Sequence, residues 1–138
     1  GVGLFCLELF VDTDEQLLTN EIAARVHNSG HLTIEGSETS QFEQHLRAIS
    51  GMPLGPTTVP RPAVMKNLLS KLLPGTPGPF GAQPAHSDAS ATVHWYMKPD
   101  AKPLRKMGHI TAVADQVGDA IAAAESRTTQ LGFTTSGE

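Results

Sequence analysis

The chain has 138 residues, enough for one ordinary domain or two small ones. Hydrophobic residues make up 39% and charged residues 17%, a balance that favours a folded protein over a disordered one. A net charge of −4, with only 10 Lys and Arg spread along the sequence, excludes the basic groove of a nucleic-acid binder. No apolar run approaches the ~20 residues that a membrane helix needs. Cys6 is the single cysteine, so a disulfide framework is excluded and a reducing compartment fits.

Gly1-Val2-Gly3 leads straight into Leu4–Val11, an apolar strand pattern in which Glu8 is the only charge. A chain that opens on such a strand reads as a piece of a longer polypeptide. Asp12–Glu15 is a polar turn and Gln16–Ala23 a second strand, which together predict an antiparallel hairpin. Arg25–His31 has no periodicity and reads as a loop. Ser40 and Glu43 have capping-box spacing, with Glu43 able to reach back to the Ser40 amide. Phe42, Leu46 and Ile49 follow at helical spacing, and Gly51 stands where a helix ends, so a helix is predicted over 40–50. Met52–Pro62 holds four prolines and crosses between elements. Ala63–Leu73 fits a buried strand and a short helix equally well.

Pro74–Ser90 carries four Pro and three Gly in seventeen residues and reads as a flexible insertion. Thr92–Met97 and Met107–Val113 read as strands. Asp115 is the expected N-cap of a helix that places Val117, Ile121 and Ala124 on one face. From Thr128 onward the sequence reads as a tail or linker.

Three constellations could carry chemistry. Glu8 and Glu21 interrupt the two strands of the hairpin, with Asn20 beside them. On paired strands they can face each other, an oxygen-ligand set suited to Mg²⁺, although alternation alone also predicts polar residues on a solvated face. Arg25, His27, Asn28, Ser29 and His31 offer a fixed cation, an imidazole, an amide and a hydroxyl, which can hold an anion and manage a proton. Zinc on His27 and His31 is disfavoured because Asn28-Ser29-Gly30 is a poor helix segment and no cysteine lies nearby. The third group is Lys98, Lys102, Arg105 and Lys106, four cations within nine residues. They mark either a phosphate site or a solvated basic turn. Cys6 and His45 read as structural.

NEIAARVHNSGH (20–31), TSQFEQHLRAISGMPL (39–54) and RKMGHIT (105–111), in this order, resemble the ATP-grasp carboxyaminoimidazole ribonucleotide synthetases of purine biosynthesis. This is the PurK type, which in fungi forms the first half of a bifunctional phosphoribosylaminoimidazole carboxylase. The resemblance runs from about Gly1 to about Ala124, and the pairing of HNSGH with SQFEQHLRA is its specific part.

The resemblance implies an α+β chain, with the C-terminal part of an ATP-grasp domain over 1–57. A small β-rich C-terminal domain with the insertion at 74–90 would cover 58–127, and 128–138 would be tail. It implies that Glu8 and Glu21 hold Mg²⁺ against the phosphates of ATP. Arg25, His27 and Asn28 would serve bicarbonate or carboxyphosphate and the aminoimidazole, with Arg25 and His27 as the catalytic pair. Lys98 and Arg105, with Lys106 adjacent, would bind aminoimidazole ribonucleotide and its phosphate. The implied reaction converts ATP and bicarbonate to carboxyphosphate, whose carboxyl group passes to the amine of the ribonucleotide. A cytoplasmic location and a homodimer in the complete protein are implied too. The missing N-terminal portion would be a necessary partner, and the chain alone is expected to be inactive. The prolines of the family's APRPHNSGH are absent at Ala23-Ala24-Arg25-Val26, and in its RPGRKMGH Lys102 replaces arginine and Leu104 replaces glycine. The rival readings are a non-catalytic binding module with the C-terminal fold and another ATP-grasp carboxylate–amine ligase.

Overall fold

The computed structural model describes residues 1–70, 91–99 and 102–133, in two units that divide between Pro60 and Arg61. The insertion expected at 74–90 lies outside the described residues. Each unit combines helix with antiparallel sheet, so the fold class is α+β.

In the first unit, β1 (Cys6–Val11) and β2 (Leu17–Ala23) form the expected hairpin. Asp12 closes its turn: one carboxylate oxygen accepts from the amides of Asp14 (2.9 Å) and Gln16 (2.8 Å). The ladder slips by one residue between Glu8 and Leu9, so Glu8 faces Glu21 while Leu9 faces Thr19. Asn20 is the extra residue of that β-bulge. Leu7 and Ile22, partners across the ladder, are both exposed, as are Val11 and Leu17.

The loop that follows is more ordered than its sequence predicts. Residues Ser29–Leu32 make a 3₁₀ turn that runs into the one-turn helix α1 (Thr33–Gly36). Helix α2 (Gln41–Ile49) then starts at Ser40, whose hydroxyl accepts from the Glu43 amide at 3.2 Å. The reciprocal half of the capping box does not form. The Glu43 carboxylate instead takes Arg47 one turn on, at 2.7 and 2.8 Å, because a cation is the stronger partner for a charged oxygen. At the other end Gly51 adopts φ +69°, Met52 N–H reaches the Arg47 carbonyl and Gly51 N–H the Ala48 carbonyl. That is the left-handed helix stop for which glycine is suited. His45 accepts from the Leu4 amide at 3.2 Å and so ties α2 to the entry of β1, a structural task.

In the second unit, β3 (Ala63–Leu69), β4 (Ala91–Trp95) and β5 (Lys106–Val113) form a sheet of order β3-β5-β4 with β5 central. The ambiguous segment after Pro62 is thus a strand over Ala63–Leu69, and its residues 71–73 lie outside the described residues. Helix α3 (Val117–Gln130) covers one face, setting Ala120 and Ala124 against Leu68, Ala91, Ile110 and Ala112. Alanines on the helix permit close approach, and the complete burial of Leu68 and Ile110 contributes roughly 1.5–3 kcal/mol apiece. Val93 and Trp95 extend this core, and Gly108, opposite Trp95, leaves room for the indole ring.

Two expectations need correction here. The N-cap of α3 is Gln116, in extended conformation, not Asp115, whose carboxylate lies 3.7 Å from the Arg61 guanidinium. The helix also continues through Thr128–Gln130, past the expected start of the tail. Thr128 is buried and returns its hydroxyl to the Ala124 carbonyl at 2.7 Å, which removes the reason to stop there. Gly132, at φ +74°, follows the helix end.

Candidate functional site

The hairpin brings the two glutamates together. Cross-strand pairing puts Glu8 opposite Glu21, and the bulge turns Asn20 toward the same face, where its Nδ2 donates to Glu8 Oε2 at 3.1 Å. In a regular ladder neighbouring residues point to opposite faces, so an amide and a carboxylate adjacent in sequence could not both serve Glu8. His27 arrives from the loop and sets Nε2 2.8 Å from Glu8 Oε1. Its other ring nitrogen, Nδ1, lies 2.8 Å from the Ser29 hydroxyl. A carboxylate only accepts, so Nε2 carries a proton, and in the neutral ring Nδ1 accepts from Ser29.

Each of Glu8, Glu21 and His27 offers a ligand atom within 4.8 Å of the others, the metal-capable group among the described residues. Both oxygens of Glu8 are held, one by Asn20 and one by His27, so its orientation is fixed. Glu21 stays exposed. Two carboxylates on a solvent-open sheet face fit a hard cation that keeps most of its shell for water and phosphate oxygens. Zinc on His27 and His31 has no support in the geometry, since His31 turns Nδ1 to the Gln41 amide at 2.9 Å. Arg25 is exposed and donates from Nη1 to the Val26 carbonyl at 3.1 Å, so it binds its own loop and neither carboxylate. Asn28 precedes the 3₁₀ turn, with its carbonyl accepting from the His31 amide at 3.1 Å.

The expected cations also assemble, within the second unit. Lys98 sits after β4, its Nζ 5.3 Å from the centre of the Tyr96 ring and bonded to the Lys106 carbonyl. Partial burial, and then the neighbouring charges of Arg105 and Lys106, push the Lys98 pKa below the usual lysine value. Lys98 thus feels two further cations close by, a setting in which its charged form is favoured when an anion binds. The turn between the strands runs Lys102-Pro103-Leu104-Arg105, closed by Arg105 N–H to the Lys102 carbonyl at 3.0 Å. Leu104 takes φ +61°, the conformation that a type II turn requires at its third position and that glycine adopts freely.

Sequence reasoning left two residues without a role. Tyr96 lies under Lys98 and places its hydroxyl 2.7 Å from Nδ1 of the buried His109. Gln41 is buried beneath the His27 loop and bonds to it. A glutamine directly after a helix cap was the available signal.

Two family models match consecutive stretches of the chain. Residues 1–42 match the ATP-grasp domain, and 63–123 match the phosphoribosylaminoimidazole carboxylase C-terminal domain. Fold and site together define part of an ATP-grasp protein with that C-terminal domain. The chain is 47% identical over 119 residues to N5-carboxyaminoimidazole ribonucleotide synthase of Vibrio vulnificus, covering 86% of this chain and 29% of that protein. It is 45% identical over 123 residues to the chloroplastic phosphoribosylaminoimidazole carboxylase of Vigna aconitifolia, covering 83% of this chain and 21% of that protein. Among solved structures, N5-carboxyaminoimidazole ribonucleotide synthetase of Thermotoga maritima superposes with a TM-score of 0.78 at 46% identity, over 94% of this chain and 36% of that one. The Aspergillus clavatus synthase, solved with ADP and 5-aminoimidazole ribonucleotide, gives a TM-score of 0.75 at 34% identity, over 94% and 35%. Over most of its length the chain is thus similar to N5-carboxyaminoimidazole ribonucleotide synthetases, and its two matched stretches belong to the ATP-grasp domain and the phosphoribosylaminoimidazole carboxylase C-terminal domain. It spans between a fifth and a third of the length of these curated relatives.

Proposed function

We propose that this chain supplies the metal-binding carboxylates and part of the substrate site for ATP-dependent carboxylation of aminoimidazole ribonucleotide with bicarbonate. The observation that carries the reading is the opposed Glu8–Glu21 pair, with His27 bonded to Glu8, in a chain similar to these synthetases. Glu8 and Glu21 would hold Mg²⁺, which when bound neutralises the phosphate charge of ATP. Asn20 and His27 keep Glu8 in one orientation, so the site is organised before the nucleotide arrives. His27, fixed between Glu8 and Ser29, would act beside the activated carboxyl group. Asn28 and Arg25, at the start of the same loop, would contact the bicarbonate-derived group.

Lys98, Arg105 and Lys106 would take the phosphate of the ribonucleotide, an assignment supported by the charges of Arg105 and Lys106 acting on Lys98. No residue of either cluster acts as a covalent nucleophile in this reading. Charge neutralisation and positioning suffice for phosphoryl and carboxyl transfer. The test is incorporation of ¹³C-bicarbonate into aminoimidazole ribonucleotide by the natural polypeptide that carries this chain. Product formation that requires ATP, bicarbonate and the ribonucleotide together supports the proposal. ATP consumption indifferent to the ribonucleotide would refute it.

A further inference from the structure

His27 is held through its backbone by a single side chain. Gln41 Oε1 accepts the His27 N–H at 2.9 Å, and Gln41 Nε2 donates to the His27 carbonyl at 2.8 Å. Nε2 also lies 2.9 Å from His31 Nδ1, so both its hydrogens have acceptors. The amide cannot be turned over, because that would set oxygen against carbonyl and nitrogen against N–H. Gln41 is only 7% exposed, and its own amide donates to the Thr33 hydroxyl at 2.8 Å, which in turn donates to the Gly30 carbonyl at 2.6 Å. Gly30 completes the fit, since a Cβ there would collide with the Gln41 carboxamide. The loop is thereby fastened at His27, Gly30 and His31 to the first turn of α2, a helix with both ends capped. With its backbone fixed, the His27 ring spans from Ser29 to Glu8.

We infer that Gln41 is a positioning residue: it sets the His27 imidazole on Glu8, and its loss acts on turnover through His27. This rests on the proposed role of His27 and adds a second residue behind it. The perturbation is Gln41→Glu, which keeps the length but replaces both donor hydrogens with an acceptor facing the His27 carbonyl. Gln41→Met, equally long and uncharged, serves if the first variant does not fold. In the natural polypeptide carrying this chain, kcat should fall by roughly ten- to a hundredfold, the scale of a small displacement of a reacting group. The KM for ATP should stay within about twofold, since Gln41 makes no contact that binding the nucleotide would replace. Combined with His27→Ala, the Gln41 variant should cost nothing further, because the group it positions is gone. Losses that multiply in the double variant would overturn the inference. A second readout does not depend on activity: the ¹⁵N shifts of the His27 ring at one fixed pH should move in the Gln41 variants. Should His27→Ala retain full turnover, the functional reading fails, and the ring shifts then decide the clamp alone. Moved shifts uphold it, and shifts identical to those of the unaltered protein overturn it.

Discussion

Replacing Leu104 with glycine should stabilise the second unit. Leu104 is 77% exposed, so its side chain contributes little packing, yet it is held at φ +61° in the turn between β4 and β5. Its amide donates to the Ser70 carbonyl at 2.8 Å and the Arg105 carbonyl accepts from Ser70 at 2.9 Å, so the backbone cannot relax out of that conformation. For a residue with a Cβ the left-handed region costs about 1–2 kcal/mol. Glycine removes that strain but adds about 0.5–1 kcal/mol of unfolded-chain entropy. The net expectation is a gain of about 0.5–1 kcal/mol. Trp95 is the only tryptophan and lies in the core of this unit, so its fluorescence during urea unfolding reports on the right transition. Leu104→Gly should raise the midpoint with an unchanged slope, whereas Leu104→Ala, which keeps a Cβ, should not. Equal midpoints for all three proteins, or a lower one for Leu104→Gly, would refute the strain argument.

Other consequences follow from the same contacts. Because folding holds the Lys98 pKa below the ordinary lysine range, the unfolded chain binds that proton more tightly. Stability should therefore rise as pH climbs through the lowered value toward the ordinary one, while affinity for a phosphate ester falls over the same interval; denaturation and binding measured against pH check both signs. Arg105→Ala should raise the KM for aminoimidazole ribonucleotide about ten- to a hundredfold, the loss of a charged hydrogen bond of about 1.5–3 kcal/mol, and leave that for ATP nearly unchanged. Weakened ATP with an untouched ribonucleotide would contradict the phosphate assignment. The exposed apolar pairs Leu7–Ile22 and Val11–Leu17 predict that the 138-residue chain by itself self-associates at tens of micromolar, and that Ile22→Lys reduces this. A monodisperse monomer in sedimentation would count against it.

The parts of the fold legible in the sequence are those governed by local chemistry. The hairpin was visible because its turn is a polar run between apolar strands. Helix α2 was visible because Ser40 and Gly51 mark its ends. AVMKNLL was undecidable since its apolar residues satisfy both periodicities, and only pairing with β5 makes it a strand. Asp115 misled because an acidic residue near a helix start is a common cap, whereas here it faces Arg61. At the site, the facing of Glu8 and Glu21 follows from the hairpin, but the turn of Asn20 toward Glu8 depends on a bulge that only the partner strand reveals. Gln41 carried only a faint mark, its place directly after the Ser40 cap, because the carboxamide's bonds to His27 go to backbone atoms fourteen positions earlier, and backbone carries no sequence signature. The positive φ of Leu104 was foreshadowed by its glycine counterpart in the family motif.

Whether Glu8 and Glu21 hold the metal against ATP for carboxylation is tested most directly by Glu21→Gln. The variant keeps the shape of an exposed side chain and removes one charge from a pair whose ligand atoms lie within 4.8 Å of each other and of His27. Turnover of ATP with aminoimidazole ribonucleotide and bicarbonate, measured in the natural polypeptide at limiting Mg²⁺, should fall by at least ~10²-fold. Near-normal turnover at limiting Mg²⁺ would contradict the assignment.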